Sequence, residues 1–234
     1  MEKASSDTRK RLLDAAVELI AAAPGEEFSL RDVCNRAGVK MPTLYHFFGS
    51  KQGLTEAVVA RGFEQYAAAK AQAETSGDPI QDIRDGWDSH VEFGLANPGV
   101  YALMYGAVRP GDTSPAQAEP TAMLRKLVRW AAEQNRLVVP SEQAVGHILA
   151  TNVGVTLRQI VAEQPDPALS AAVRDAVIAA ITGMPHVGDE SGRAALLGAL
   201  EHAVRHPDVL GSAETALLAE WLRRLAQRAA VEAC

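Results

Sequence analysis

The sequence predicts an all-α protein, and three observations lead to that prediction. Alanine and leucine dominate its 234 residues, while aromatic residues make up only 5%, and such a composition favours helix. The long segments show few of the β-branched alternations that are typical of strands. Turn-forming breaks such as Asn97-Pro98 and "QPDP" divide the chain into helix-sized segments. At this length the chain can bury a core as one large domain or two small ones.

The ends of the first helices are marked by capping residues. The first helix is predicted over residues 7–22, before Pro24-Gly25. A short second helix begins after Ser29, which offers an N-cap, and ends at Gly38. A third begins near Met41, and a long helix is predicted from Lys51 to about Glu74.

The rest of the chain is again predicted to be helix after helix. We predict a domain over 1–55 and a larger helical domain over 56–234, whose last part, 184–234, is a two-helix C-terminal extension. The boundary falls within the long helix, so no flexible linker separates the two. The further helices are predicted over 79–96, 98–107, 120–136, 141–163, 168–182, 190–205 and 212–231.

The charge is unevenly distributed along the chain. The formal net charge is −6, yet residues 1–61 hold nine basic and eight acidic side chains, and the remainder holds fourteen against twenty-one. The front is locally basic around Arg9–Arg11, Lys40 and Lys51. This pattern is compatible with a small nucleic-acid module on an acidic body.

Two absences in the sequence narrow its cellular context. With only Cys34 and Cys234 there is no disulfide framework, which fits a reducing compartment. The start carries no apolar segment behind its charges, and the longest uncharged run, 93–108, is short and broken by Asn-Pro-Gly. We therefore expect a cytoplasmic protein without a signal peptide or a membrane contact.

The segment "GVKMPTLYHFFGSK" divides into two faces when it is drawn as a helix. With Leu44 at the centre of one face, Phe48 lies close to it and Met41 and Phe47 flank the pair. This apolar side is suited to packing. The opposite side carries a hydroxyl, a phenol, an imidazole and a proline ring, with lysines at both ends: Pro42, Thr43, Tyr45 and His46, between Lys40 and Lys51.

A short helix, a glycine turn and a second short helix is the arrangement of a helix-turn-helix, whose second helix enters the DNA major groove. Tyr45, His46 and Lys51 are suited to phosphate oxygens. Thr43 is suited to a base edge, and its methyl group, together with Pro42 and Met41, is suited to a thymine methyl. A plainer interpretation stays open, namely an ordinary three-helix core whose polar residues are merely solvated.

Residues 9–56 closely resemble the N-terminal domain of the TetR family of transcriptional regulators. The resemblance is carried by "R..LLDAA..L", "FSLRDVCNRAGV" and above all "TLYHFFGSKQGL". It implies that the helix from about Met41 reads DNA, with Thr43, Tyr45, His46 and Lys51 as contacts and Arg31 as a further candidate. Two positions depart from the family pattern: Pro42 stands where glycine is frequent, and Phe47 stands where many members have histidine or tyrosine.

The same resemblance implies a function for the body. In the family the remaining helices bind a small molecule and form a two-fold dimer, and residues 79–183 resemble that domain more loosely, through "ANPGVYALMYG" and the run that starts "VGHILATNVGV". The expected partners are therefore a double-stranded DNA operator, a small and mostly apolar effector, and a second copy of the chain. A repressor released by its effector is expected, with no cofactor and no metal.

Candidate ligand contacts come from the clustered aromatic residues of the body. Trp87, His90 and Phe93 recur at i, i+3 and i+6, roughly one face of one helix. Core packing with a satisfied histidine is the alternative at each position. The candidate pocket residues are Trp87, His90, Phe93, Tyr101, Met104, Tyr105, Trp130 and His147.

The candidate dimer seam is a four-helix bundle formed by helices 141–163 and 168–182 of both chains. A two-fold dimer doubles the base pairs that one short helix can read. The residues assigned to this seam are Ile148, Val155, Ile160, Val173, Val177 and Ile181.

Two other classes of function have less support in the sequence. The sequence lacks the metalloprotease, P-loop, nucleophile-elbow and dinucleotide motifs, so a catalytic role has no specific support. His202 and His206 are spaced as a metal pair on a predicted helix, but a solvated face is the simpler explanation. The remaining alternative is a helical structural or partner-binding protein without DNA binding.

Overall fold

A computed structural model describes residues 2–72, 74–106, 117–184 and 189–231. The described residues form twelve helices and no strand, which confirms the all-α prediction. The helices are α1 Glu2–Ala22, α2 Leu30–Ala37, α3 Met41–Phe48, α4 Lys51–Ala71, α5 Pro79–Ala96, α6 Pro98–Gly106, α7 Ala118–Glu133, α8 Ser141–Val161, α9 Pro167–Thr182, α10 Asp189–Arg205, α11 Pro207–Leu210 and α12 Ser212–Val231.

Most predicted helix limits lie within three residues of the observed ones, because short-range capping decides them. The Ser29 hydroxyl accepts a hydrogen bond from the Asp32 amide at 3.4 Å, and the Ser50 hydroxyl accepts one from the Gly53 amide at 3.0 Å. Gly38 ends α2 at a φ of 65°, a left-handed conformation that favours glycine. Helix α1 begins earlier than predicted. The four-residue helix α11 lies between the predicted helices 190–205 and 212–231.

The chain divides into two compact units, residues 1–174 and 175–234. This division falls within α9. The predicted boundary at 55/56 lies inside α4, which is continuous there, and stays a prediction.

The first part of the 1–174 unit is built on one hydrophobic cluster shared by α1 to α4 and α6. Helix α3 is anchored to this cluster by Leu44, which is fully buried. Leu54 and Val58 join the cluster from the first half of α4, and Phe63 joins it farther along. Val100 and Met104 extend it into α6. The short helices and the body therefore share one continuous core.

Two glycines allow α6 to pack closely on α1 and α4. A Cβ atom on Gly62 of α4 would lie 2.8 Å from side-chain atoms of both Val100 and Met104. One on Gly99 of α6 would lie 2.5 Å from the carbonyl oxygen of Ile20 in α1. Because these contacts leave no room for a side chain, α6 is held against the helices that carry α3.

Helices α5, α7 and α8 pack together in the rest of this unit. Their buried residues include Ile83, Trp87, Val128 and Val145. None of the described helices is long and apolar enough to cross a membrane.

The 175–234 unit holds α10, α11 and α12, with α10 and α12 packed on each other. Helix α12 carries exposed apolar side chains at a spacing of four residues, Leu217, Trp221 and Leu225. This spacing places them on one face of the helix.

Candidate DNA-binding face and ligand cavity

Helix α3 presents the polar face that its helical wheel predicts. Leu44 is buried, and Met41, Phe47 and Phe48 are half-buried against the hydrophobic cluster. The opposite face exposes Pro42, Tyr45 and His46, while Thr43 is half-buried. Proline fits in the first turn of α3 because the amide that it lacks would have no partner within the helix.

The sulfur of Met41 turns inward. It lies 3.5 Å from the Cys34 thiol of α2, so this side chain links the two short helices. Met41 therefore has less reach toward a thymine methyl than Pro42, which is exposed beside it.

Basic side chains border the exposed face of α3. Arg31 on α2 and Lys40 at the start of α3 are exposed, and neither makes a hydrogen bond or an ion pair with a residue that the structure describes. Such side chains can approach DNA phosphates without first losing a protein partner.

Lys51 at the start of α4 is differently placed. Its ammonium group contacts the Glu27 carboxylate at 2.8 Å and lies 5.1 Å from the centroid of the Phe28 ring. The hydrogen bond and the positive charge of Lys51 hold the pKa of Glu27 below its ordinary value. Since the Glu27 side chain is 93% exposed, water screens this pair, and a phosphate group can replace the carboxylate.

The 1–174 unit contains a cavity of about 360 Å³. Phe63 of the hydrophobic cluster is among the residues that line it. Helices α4 to α8 contribute to its wall. Among the described lining residues most side chains are apolar or aromatic, a composition typical of small-molecule sites. The lining includes Phe63, Tyr66, Lys70, Trp87, His90, Tyr105, Leu124, Ile148 and Asn152.

A hydrogen-bonded group of rings forms one side of this cavity. His90 Nδ1 lies 2.8 Å from the Tyr66 hydroxyl, and His90 Nε2 lies 2.6 Å from the Tyr101 hydroxyl. Burial, together with the nearby Lys70 charge, lowers the pKa of His90 to about 3, so the imidazole is neutral near pH 7. One ring nitrogen of a neutral imidazole donates and the other accepts, so the two tyrosine hydroxyls take opposite roles.

Four of the eight candidate ligand residues line a cavity. Trp87, His90 and Tyr105 line the one just described. Trp130 lines a neighbouring cavity of about 440 Å³, which shares Lys70, Gly86, Leu124 and Leu127 with the first.

The structure places the other four candidates elsewhere. Tyr101 is fully buried behind His90. Met104 belongs to the hydrophobic cluster, and Phe93 packs against that cluster and against the ring of Tyr66. His147 is half-buried on α8 and is not among the residues that line either cavity.

Sequence reasoning missed the contribution of α4 to the cavity. Phe63, Tyr66 and Lys70 line it at spacings of three and four residues, one face of a helix. That spacing is visible in the sequence. The sequence does not show that this face lines a cavity, because a face with the same spacing could equally pack against an ordinary core.

The predicted seam residues fall into two groups. Val155, Ile160 and Val173 are half-buried. Val177 and Ile181 are buried within the single chain, with exposed fractions of 8% and 0%.

Ile148, the sixth of these residues, is also buried, and it lines the cavity. We therefore assign it to the cavity rather than to a surface between chains.

The comparison with known proteins agrees with this geometry. The family model described as "Bacterial regulatory proteins, tetR family" matches residues 12–58, the segment that contains the second half of α1, all of α2 and α3, and the start of α4. Over residues 12–58 this chain is a member of the TetR family. The match ends in the first half of α4, so it covers α2 and α3 and none of the residues that line the cavity.

Curated relatives are similar over short segments. The transcriptional repressor KstR of Mycolicibacterium smegmatis is 35% identical over 75 residues, which are 32% of this chain and 37% of that protein. The transcriptional regulator AlkX of Mycobacterium tuberculosis is 28% identical over 107 residues, 44% of this chain and 49% of that protein. The matched segments thus span less than half the length of these relatives.

Solved structures share the fold over more of the chain. The structure of RolR in complex with resorcinol matches 77% of this chain and 90% of its own, with a TM-score of 0.61 and 18% identity. At that identity the likeness concerns the fold alone.

Proposed function

We propose that this TetR-family chain is a transcriptional regulator that binds a palindromic DNA operator and is released by a small, mostly apolar effector. The exposed face of α3 carries this proposal, because a buried Leu44 anchors a helix whose other side presents Pro42, Tyr45 and His46. The curated relatives named as transcriptional repressors support it. Such a regulator works beside the chromosome, in the cytoplasm.

The experiment that tests this function selects bound fragments from the genomic DNA of the source organism. We expect a palindromic sequence to be enriched, and a gel shift with that sequence should show a discrete complex. If no fragment is enriched over random DNA, the remaining candidate is a helical partner-binding protein without DNA binding.

Phosphate contact and base contact can be separated at two positions of the proposed DNA-binding face. We expect Lys51→Ala to weaken binding to every DNA sequence and to lower the salt slope of log K by about one unit, because it removes one phosphate contact. Binding of the selected operator and of a scrambled duplex, measured over a range of salt concentrations, checks this.

Thr43→Ala is the matched comparison. It should change the preference among operators at one or two base positions while leaving the salt slope as in the parent protein. If both variants bound every sequence like the parent, α3 would be oriented differently on DNA.

We further propose that the protein is a homodimer. Exposed apolar side chains on the 1–174 unit support association, namely Val161 at 74% and Leu169 at 39%, beside the half-buried Ile160 and Val173. In the 175–234 unit the exposed stripe of α12 supports it as well. Sedimentation at micromolar concentration should give twice the mass of one chain.

Two variants locate the seam. Ile160→Glu places a charge on the α8 surface, and Trp221→Glu places one on the α12 stripe. If α8 and α9 form the dimer interface, we expect the Ile160→Glu variant to dissociate into monomers. If only the Trp221→Glu variant dissociated, the dimer interface would lie on α12 and not on α8 and α9. A parent protein that sediments as a monomer would refute the proposed dimer.

The switch that we propose runs through α4. This helix begins with Lys51 beside α3, and its second half lines the cavity with Phe63, Tyr66 and Lys70. At 1.5 Å per residue its 21 residues span about 32 Å. A dimer fits successive major grooves only when its reading helices are about 34–36 Å apart, so a small tilt of α4 disturbs the fit.

Helix α6 gives this switch a second mechanical contact. It carries Tyr105 on the cavity wall and packs through Gly99 against Ile20 of α1. An effector that displaces Tyr105 therefore acts on both α1 and α4. A preference of about 2.7 kcal/mol for the displaced state shifts the equilibrium about a hundredfold.

A further inference from the structure

The cavity of about 360 Å³ contains one positive charge without a negative counterpart. Its described lining residues include no aspartate and no glutamate, and Lys70 is the one lysine or arginine among them. Lys70 is half-buried. An ammonium group in an apolar site is unfavourable unless it is paired or deprotonated.

The ammonium group of Lys70 is held in place by packing alone. It lies 4.9 Å from the centroid of the Tyr66 ring, and it makes no hydrogen bond or ion pair with any residue that the structure describes. A Cβ atom on Gly86 of α5 would lie 3.5 Å from Lys70 Nζ, so the glycine leaves room for this group between α4 and α5.

The nearest histidine does not accept a hydrogen bond from Lys70, because both of its ring nitrogens already have partners. His90 is buried between the hydroxyls of Tyr66 and Tyr101 and is neutral near pH 7. Burial raises the pKa of Tyr105, so this phenol also stays uncharged. The groups that face Lys70 within the first cavity are thus all uncharged near pH 7.

Carboxylates occur only on the side of the neighbouring cavity, where Glu74, Asp82 and Asp85 contribute to the described lining together with Lys126. Two of these carboxylates are already engaged. Asp82 accepts hydrogen bonds from Thr75 at 2.5 Å and from Ser76 at 2.6 Å, and Asp85 accepts one from Gln81 at 2.7 Å. None of the three forms an ion pair with Lys70.

Burial lowers the pKa of Lys70 to about 8, so the group is mostly protonated at pH 7. An anion in the cavity would raise this pKa again, because a nearby negative charge favours the ammonium form. The lining therefore combines apolar walls with a single cationic anchor. The Tyr105 hydroxyl, for which no partner is seen among the described residues, is a second donor beside it.

We propose that this cavity binds an organic acid with an apolar body, and that the carboxylate pairs with Lys70 Nζ. The inference rests on the proposed function, since it names the chemical class of the effector. It also makes Lys70 the residue that selects acids over neutral molecules of the same shape.

The test compares matched acids and alcohols on the full-length protein. The probes are octanoate, decanoate, 3-phenylpropionate and 4-phenylbutyrate, each with its corresponding alcohol, and binding is measured by calorimetry at pH 7. We expect at least one acid to bind about tenfold more tightly than its alcohol, the effect of one charge-assisted hydrogen bond in a partly desolvated site. Its affinity should fall as the pH rises above 8, and that of the alcohol should not.

Three variants assign this preference to a residue. Lys70→Met should abolish the preference for the acid, whereas Lys70→Arg, which keeps the charge, should retain part of it. Lys126→Met is the matched control, because this lysine lines only the neighbouring cavity. Thermal melting of each variant shows whether it is folded, and the pH profile of the parent protein tests the idea without any variant.

Several results would overturn the proposal. These are an alcohol that binds as tightly as its acid, a preference that survives in Lys70→Met, a loss of preference in Lys126→Met, and no binding of any acid at millimolar concentration. DNA binding in the absence of any acid or alcohol is measured separately, by gel shift with the operator. A protein that shifts its operator but shows no preference for acids refutes only this inference, and one that prefers acids but binds no DNA refutes only the proposed regulator.

Discussion

Replacing Trp87 with alanine should lower the free energy of unfolding by about 3–5 kcal/mol, the usual cost of truncating a buried aromatic side chain. Trp87 is 1% exposed, and its indole nitrogen donates a hydrogen bond to the Ser170 hydroxyl at 3.2 Å. It also lines the cavity. The variant therefore removes packing volume and leaves a buried hydroxyl without a donor. Denaturant unfolding of the parent and the variant measures the difference.

Trp87→Phe separates the two contributions. It keeps an aromatic ring and loses the indole donor, so we expect about 1–2 kcal/mol of destabilisation, a smaller loss than in the alanine variant. A Trp87→Ala protein that unfolds like the parent would mean that the side chain is not packed as described. A folded Trp87→Phe protein that still binds DNA and no longer responds to acids would assign this residue a ligand contact as well.

Acidification from pH 7 to pH 5 should reduce the stability of the folded protein by about 2 kcal/mol through His90 alone. The pKa of this histidine falls from 6.5 to about 3 on folding, so the unfolded chain binds a proton that the folded chain excludes. Stability from this source is complete above about pH 6.5 and is lost as the pH falls toward 3. Each pH unit within that interval costs about 1.4 kcal/mol.

The measurement is the free energy of unfolding at several pH values between 7 and 5. This interval lies above the titration of Asp14, Asp78 and Asp82, whose pKa values are held below 3.8. His90→Gln should be less stable than the parent at pH 7 and should show a flatter pH dependence. His46→Gln, a substitution at an exposed position, should keep the drop, and a parent curve that stays flat to pH 5 would show that His90 is protonated in the fold.

The two predictions concern two residues of α5 that both line the cavity. His90 joins Tyr66 of α4 to Tyr101 of α6, and α6 in turn packs on α1 through Gly99. A ligand that contacts His90 or Tyr105 therefore acts on α5 or α6, and both are linked to helices that pack against α3. This connection is what the proposed switch requires, and it is built from side chains that also stabilise the fold.

The helices and the two faces of α3 can be predicted from the amino-acid pattern alone. Helix ends depend on residues a few positions apart, as with Ser29 and Gly38, and a helical face depends only on a period of 3.6 residues. For that reason the sequence alone predicts the two sides of α3, a packed side around Leu44 and an exposed side with Tyr45 and His46. The resemblance of "TLYHFFGSKQGL" then indicated what such a face contacts.

Which side chains share the cavity depends on how the helices pack. Lys70, His90 and Tyr105 lie on three helices, and their meeting depends on how α4, α5 and α6 cross, which no local pattern records. The same packing places Phe93 and Met104 at the hydrophobic cluster and Ile148 on the cavity wall. The sequence pattern of an apolar or aromatic residue is the same in a core, in a dimer interface and in a pocket, because all three remove the side chain from water. The difference lies in the space left beside it, and distant parts of the chain set that space.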